Sequence, residues 1–110
     1  MIEPIRNLSV DVVPQAVISL PVGKVVGRRA DIRSGNDDLD YFEGASFMLD
    51  NKIELAVRHY RGHPENTSTL YIDRRESDIK QITQLIRKIL DELHVPLEAL
   101  QWERRDNPDL

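Results

Sequence analysis

This 110-residue chain has no cysteine, no long apolar segment and few aromatic residues. With no cysteine, the sequence excludes a disulfide framework, a thiolate metal site and a cysteine nucleophile. No stretch approaches the ~20 apolar residues of a membrane-spanning helix, so we expect no membrane association. Aromatic residues make up 5% of the chain. They are too scattered to predict the stacking surface of an RNA-binding sheet.

The charge balance also argues against a nucleic-acid partner. The chain has 15 basic and 19 acidic residues, which gives a net charge of −4. A general nucleic-acid binder usually carries a basic balance, so nucleic acid is not expected as a partner. Charged residues make up 31% of the chain, as is typical of a soluble protein. Because acidic residues and prolines interrupt the apolar residues near the N-terminus, no secretory signal is predicted, and we expect a cytoplasmic protein.

The length is that of one domain. We predict a single domain over residues 1–110, with flexible ends at 1–6 and 106–110. The N-terminal third is rich in β-branched residues interrupted by Pro14, Pro21 and Gly23, a pattern that predicts short strands, with the prolines at sheet edges. Residues 33–44 predict an acidic loop, and the spacing of its acids does not match an EF-hand.

A three-stranded antiparallel meander is predicted over residues 45–73. Asp50 and Asn51 tolerate the left-handed conformations of a tight hairpin turn. After the turn, Ile53, Leu55, Val57 and His59 alternate with polar or small residues, as on a strand with one buried face.

An amphipathic helix is predicted over about residues 76–93, where apolar side chains recur at steps of three and four. These are Ile79, Ile82, Leu85, Ile86, Ile89, Leu90 and Leu93. Val95-Pro96 ends the helix, and a final short strand is predicted near residues 100–104. Trp102 on that strand is a core anchor if it faces the helix and an interface residue if it lies at an exposed edge.

These elements predict an α+β fold. An antiparallel sheet of about four to six strands would be covered on one face by one long helix. The opposite face, with Met48, Ala56 and Tyr71, would remain partly open. Because a second protomer could cover that face, we predict a homodimer.

One segment, Arg58 to Glu65, concentrates residues that could carry chemistry. His59 and His63 are the catalytic candidates, as a general acid and base. The ligand-binding candidates are Arg58, Tyr60, Arg61 and Glu65, because arginines hold phosphate or carboxylate groups. In the competing interpretation, His59 is a hydrogen-bonded histidine at the edge of the core and His63 is an ordinary loop residue.

The other motifs that we considered mostly exclude cofactor and metal sites. No phosphate-binding loop, dinucleotide fingerprint or serine-hydrolase elbow occurs, so no cofactor is predicted. The spacing of His59 and His63 suits zinc only on a helix, so no metal site is predicted. The arginine pairs at 28–29, 74–75 and 104–105 would make an anion-binding patch if the fold brought them together, and otherwise form surface ion pairs.

The absence of catalytic motifs predicts a non-catalytic binding module. We expect an accessory, regulatory or immunity-type protein that associates with itself or with a protein partner. The alternative is a small enzyme or anionic-ligand-binding protein that uses His59, Arg61 and His63.

Overall fold

The structure is a computed structural model that describes residues 1–36, 40–76 and 81–104. Within these ranges the chain forms seven strands and two α-helices. In chain order they are β1 (Ile2–Ile5), β2 (Val12–Ile18), α1 (Val22–Val26), β3 (Arg33–Asn36), β4 (Tyr41–Leu49), β5 (Ile53–Tyr60), β6 (Ser68–Asp73), α2 (Ile82–Glu92) and β7 (Leu100–Glu103). The α+β class is confirmed, but the sheet has seven strands and not four to six.

All the strands join one antiparallel sheet in the order β1-β4-β5-β6-β2-β7. The long strand β4 has two partners on the side opposite β5. Its first half pairs with β3, from Tyr41 to Gly44, and its second half pairs with β1, from Ser46 to Leu49. Ile2–Ile5, in the segment predicted as a flexible end, therefore forms a paired strand. The predicted end at 106–110 lies outside the described residues.

The predicted meander is present as β4, β5 and β6, which are neighbours in sequence and in the sheet. Asp50 and Asn51 form the first turn, with φ of 53° and 56°. The Lys52 amide donates to the Leu49 carbonyl at 3.0 Å. These left-handed conformations fit the twist of the two strands, as the sequence predicted.

The predicted acidic loop over 33–44 is wrong where the structure describes it. Residues 33–36 and 41–44 pair as β3 and the start of β4, while residues 37–39 lie outside the described ranges. Gly35 permits this pairing, because a Cβ there would stand 2.8 Å from the Phe42 ring. The composition of the segment suggested a loop, but its glycines make room for side chains of the sheet.

The helix α2 is also shorter than predicted, with 11 residues from Ile82 to Glu92. The predicted start at about residue 76 is wrong, because residues 74–76 form a 3₁₀ turn. Residues 77–80 of the predicted helix lie outside the described ranges. The helix ends in a Schellman arrangement. His94 takes φ of 57°, and the Val95 amide donates to the Leu90 carbonyl at 2.8 Å.

The valines before residue 27, for which the sequence predicts strands, form a helix. Val22–Val26 forms the short helix α1, with Val22, Val25 and Val26 buried. Their i, i+3, i+4 spacing places them on one side of a helix. Gly27, at φ 59°, ends the helix in a conformation that glycine adopts without a steric penalty.

Pro14 does not place β2 at an edge, since β2 lies between β6 and β7. The register of β2 against β6 shifts between Pro14 and Ala16. The pairing with β7 covers only Ala16 to Ile18. Pro14 is tolerated because it lies at this irregularity and beyond the part of β2 that β7 reaches.

The two faces of the sheet are covered differently. On the helix-covered face, α1 and α2 pack on the main core, which includes Phe47, Leu55 and Ile86, all fully buried. On the other side, here called the helix-free face, Ala56, Tyr60 and Tyr71 form a smaller cluster. Leu8 and Val12, from the N-terminal part of the chain, pack against it.

The prediction that the helix-free face is open around Ala56 and Tyr71 is therefore wrong. Ala56 is fully buried and Tyr71 is 7% exposed. The Ser9 amide donates to the Glu54 carboxylate at 2.7 Å, and the Ser9 hydroxyl donates to the same group. These bonds hold the N-terminal segment against the sheet. None of the helices in the described ranges is long and apolar enough to span a membrane.

Candidate anion-binding cleft

A cleft opens on the helix-free face where β1 and β3 meet the edge of β4. Ala45 lies between the residues that pair with β3 and those that pair with β1. The chain leaving β1 at Arg6 and the chain approaching β3 at Ala30 form the walls. The cleft has a volume of about 750 Å³, within the usual range of small-molecule sites.

Arginine is the commonest residue of the lining. Arg6, Arg28, Arg29, Arg33 and Arg58 line the cleft, and Asp31 is the acidic residue among its described neighbours. We call this site the arginine cleft. Five arginines and one aspartate give its lining a formal charge of +4, in a chain whose net charge is −4. The fold therefore concentrates positive charge at one place.

Arg58 is held firmly in the floor of the cleft. Its guanidinium carbon lies 4.4 Å from the centroid of the Phe42 ring, and its Nη1 donates to the Tyr60 hydroxyl at 3.0 Å. The faces of aromatic rings attract cations. These contacts fix the direction of the Arg58 side chain.

Gly44 provides the space that Arg58 occupies. A Cβ on Gly44 would lie 2.9 Å from Arg58 Cγ and 2.3 Å from the Val57 carbonyl oxygen, both too close for real atoms. Arg33 lies directly opposite Gly44 on β3, and Arg58 lies opposite it on β5. Residues opposite each other share a face, so a glycine separates two arginines in one row across the sheet.

The other arginines differ in their partners. Arg29 Nη2 donates to His94 Nδ1 at 3.0 Å, so this guanidinium is directed toward the end of α2. Within residues 1–36, 40–76 and 81–104, no carboxylate forms an ion pair with Arg6, Arg28 or Arg33. Their charge is therefore not neutralised by an ion pair within the described residues.

Strand alternation divides the cluster that the sequence predicted. His59 lies on the same side of β5 as Leu55 and Val57, and its Nε2 lies 3.2 Å from the Pro64 carbonyl oxygen. Arg58 and Tyr60 lie on the opposite face, in or beside the smaller core cluster. The side chains of His59 and Arg58 therefore lie on opposite faces of the sheet.

The remaining predicted residues lie at and after the end of β5. Arg61 is exposed and forms an ion pair with Asp40 at 3.1 Å. His63 is exposed, with its ring 5.6 Å from the Tyr60 ring, and Glu65 is exposed in the same loop. Of the six predicted residues, Arg58 lines the arginine cleft and the other five do not.

Sequence reasoning missed most of the cleft. One arginine pair, Arg28 and Arg29, lines it, whereas Arg75 instead forms an ion pair with Asp73 at 2.8 Å. The side chain of Asp73 is 2% exposed, and its hydrogen bond to Arg75 lowers the pKa of this carboxyl below its usual range. Arg6 and Arg33 are single arginines far apart in sequence, so only the sheet pairing brings them to one site.

Comparison of the chain with protein-family models, curated proteins and solved structures found no match. In the part of the chain that the structure describes, no group of three histidine, aspartate or glutamate side chains is arranged to hold a metal ion.

Proposed function

We propose that this protein is a non-catalytic binding module that holds a small anionic ligand in the arginine cleft. The observation that carries the proposal is that, among the described residues, five arginines and one acid line one cavity of about 750 Å³, although the guanidinium of Arg29 is directed toward His94. Arginine binds carboxylate and phosphate groups through paired, charge-assisted hydrogen bonds. A site of this charge in a chain of net charge −4 requires an explanation, and an anionic ligand supplies one.

The lining supports binding more than catalysis. No histidine, lysine, tyrosine or glutamate belongs to the described lining of the cleft, and these are common general acids and bases. Ser34 and Ser46 supply hydroxyl groups, but the two predicted catalytic candidates, His59 and His63, lie elsewhere. The cleft thus has the groups that hold and orient an anion and few that transfer protons.

The test is a titration with inorganic phosphate and with succinate, observed by two-dimensional amide NMR. We expect shifts of amide signals from residues 5–8, 28–34 and 42–46. Arg33→Gln and Arg58→Gln should each weaken the binding, roughly 10- to 100-fold for the loss of a charge-assisted hydrogen bond.

Arg74→Gln is the matched control, because Arg74 is exposed on the 3₁₀ turn outside the cleft. It should leave the affinity unchanged. Equal weakening by all three substitutions would mean that the anions respond to overall charge, and the proposal would then fail. No shift with either anion would also overturn it.

Self-association is the second candidate function, and a specific observation favours it. Trp102 is 50% exposed on β7, which among the described residues pairs only with β2. An exposed tryptophan at a free strand edge is a common feature of protein interfaces. We propose a second copy of the chain as the partner at this edge, in place of the sheet face that the sequence suggested. We also propose a cytoplasmic location, which rests on the sequence pattern and not on the structure.

A further inference from the structure

We infer that the ligand of the arginine cleft is a small phosphorylated organic molecule, and not a simple carboxylate or a nucleic acid. This inference rests on the proposed function and makes its ligand specific. Three features of the cleft carry it: the amount of positive charge, the apolar part of the lining, and the distribution of charge over the rest of the chain.

Because the described lining carries a formal charge of +4, a ligand with more than one negative charge complements it better than a singly charged one. Arg6, Arg28 and Arg33 form no ion pair with a described carboxylate, and Arg58 is already directed by its aromatic neighbours. A carboxylate brings one negative charge, whereas a phosphate monoester brings about −1.5 to −2 at neutral pH together with three acceptor oxygens. The phosphate therefore neutralises more of the cleft.

The row Arg33, Gly44 and Arg58 is where we place the phosphate group. Neighbouring strands lie about 4.8 Å apart, so the Cα atoms of the two arginines are about 10 Å apart across β4. Gly44 adds no side chain between them. Two arginine side chains at this separation can approach one tetrahedral anion from opposite sides, each through two N–H groups.

The remainder of the cleft suits an organic group. Ile5, Leu8, Ala30 and Phe42 line it beside the arginines. At about 750 Å³, the cavity is as large as sites that enclose a whole small molecule. Asn7 and Ser46, also in the lining, can bond to polar atoms of that group. An inorganic phosphate would leave this apolar surface uncovered.

The rest of the chain argues against a polyanion. The described residues carry a net formal charge of −1 and the described lining carries +4, so the described residues outside the cleft carry −5. A nucleic acid extends beyond any single pocket, and its phosphates would meet this acidic remainder. A small ligand stays within the positive region.

The experiment compares four probes by isothermal titration calorimetry at neutral pH and low salt: inorganic phosphate, phenyl phosphate, succinate and a short single-stranded oligonucleotide. We expect phenyl phosphate to bind most tightly, by roughly tenfold or more over inorganic phosphate, since burial of the phenyl group removes apolar surface from water. Succinate carries two negative charges, but on two separate carboxylates and without an aromatic group, so it should bind more weakly than phenyl phosphate. The oligonucleotide should also bind more weakly.

Two variants test whether the phosphate group lies at the row Arg33, Gly44 and Arg58. Arg33→Lys keeps the charge on an exposed position of β3 and loses the paired geometry, so it should weaken phenyl phosphate binding less than Arg33→Gln does. Arg74→Gln should bind all probes as the parent chain does. Circular dichroism checks that each variant is folded.

The outcomes separate this inference from the proposed function. If succinate binds as tightly as phenyl phosphate and depends on Arg33, the cleft binds anions but the phosphate class is wrong. If the oligonucleotide binds most tightly, with steep salt dependence, the small-molecule class is wrong. If no probe binds, the inference and the proposed function both fail.

Discussion

At the scale of single residues, Gly44 determines the shape of the arginine cleft. It lies between Arg33 and Arg58 in one row of the sheet, and its missing side chain leaves room for the Arg58 stem. The sequence shows a glycine that ends an acidic segment. Only the pairing of three strands shows what the glycine makes possible.

Gly44→Ala should destabilise the protein and weaken anion binding together. The new Cβ would stand 2.3 Å from the Val57 carbonyl oxygen, so the strands must move apart, as in other overpacked sites that cost about 1–3 kcal/mol. Displacement of Arg58 Cγ should also reduce affinity for phenyl phosphate. Urea unfolding and calorimetry measure the two effects.

Gly23→Ala is the control for this substitution. Gly23 lies on the exposed side of α1, and a Cβ there meets only Ile32 Cδ1 at 3.7 Å, an ordinary contact. Alanine is the better helix former, so the free energy of unfolding should stay equal or rise. A Gly44→Ala protein as stable as the parent would contradict the packing described here.

At the scale of elements, a group of charges joins the β4–β5 turn to the helix α2. The Lys88 ammonium lies 2.6 Å from Asp50 Oδ2. The N-terminal amine forms ion pairs with Asp50 and with Glu92, the latter at 2.8 Å. Hydrogen bonds from Lys88 and from the amine lower the pKa of Asp50 to about 2, and the bonds to Asp50 raise the pKa of Lys88 and of the amine.

Lys88→Met should raise the pKa of Asp50 toward its ordinary value of 3.8. In the parent chain the folded-state pKa of Asp50 is depressed, so the stabilisation is present above pH 3.8 and is lost as the pH falls toward 2. The variant should lose part of this acid-side dependence. NMR titration of the Asp50 carboxyl carbon measures the pKa.

Lys52→Met is the matched control, since Lys52 lies in the same turn and forms no ion pair with any described residue. It should leave the pKa of Asp50 near 2. If both substitutions raise that pKa equally, the shift comes from general positive charge near the turn and not from the contact with Lys88.

At the scale of the whole molecule, the sheet presents an edge that can pair with another chain. Strand β7 ends the sheet order, and Trp102 on it is half exposed. We expect the protein to form a dimer at high concentration through this edge. Trp102→Ser should weaken the dimer by roughly 30-fold or more, the effect of losing an interface residue worth about 2 kcal/mol. Sedimentation equilibrium measures the association.

Leu97→Ser provides the comparison, because Leu97 is 53% exposed in the 3₁₀ turn before β7 and is not part of the strand. It should dimerise as the parent chain does. A parent chain that stays monomeric at every concentration would contradict this prediction, and the arginine cleft would be unaffected by that result.

The sequence by itself determined the parts of the fold that depend on local patterns. Asp50-Asn51 predicted the hairpin, and alternation after it predicted the side of β5 that packs on the main core, because turn geometry and strand period are local properties. The other side of β5, predicted to be solvated, is also largely buried, with Ala56 and Tyr60 in the smaller cluster. The apolar stripe predicted α2, although not its start. The spacing of Val22–Val26 is compatible with a strand or a helix, and its β-branched residues predict a strand, but the segment forms a helix.

Only the tertiary structure decided where the candidate site lies. Arg6, Arg33 and Arg58 meet because β1 and β3 pair with the same side of β4, and β5 with the other. No local pattern in a sequence encodes pairing between strands so far apart along the chain. Conversely, Arg58 and His59 are adjacent in sequence but lie on opposite faces, because successive side chains of a strand point in opposite directions.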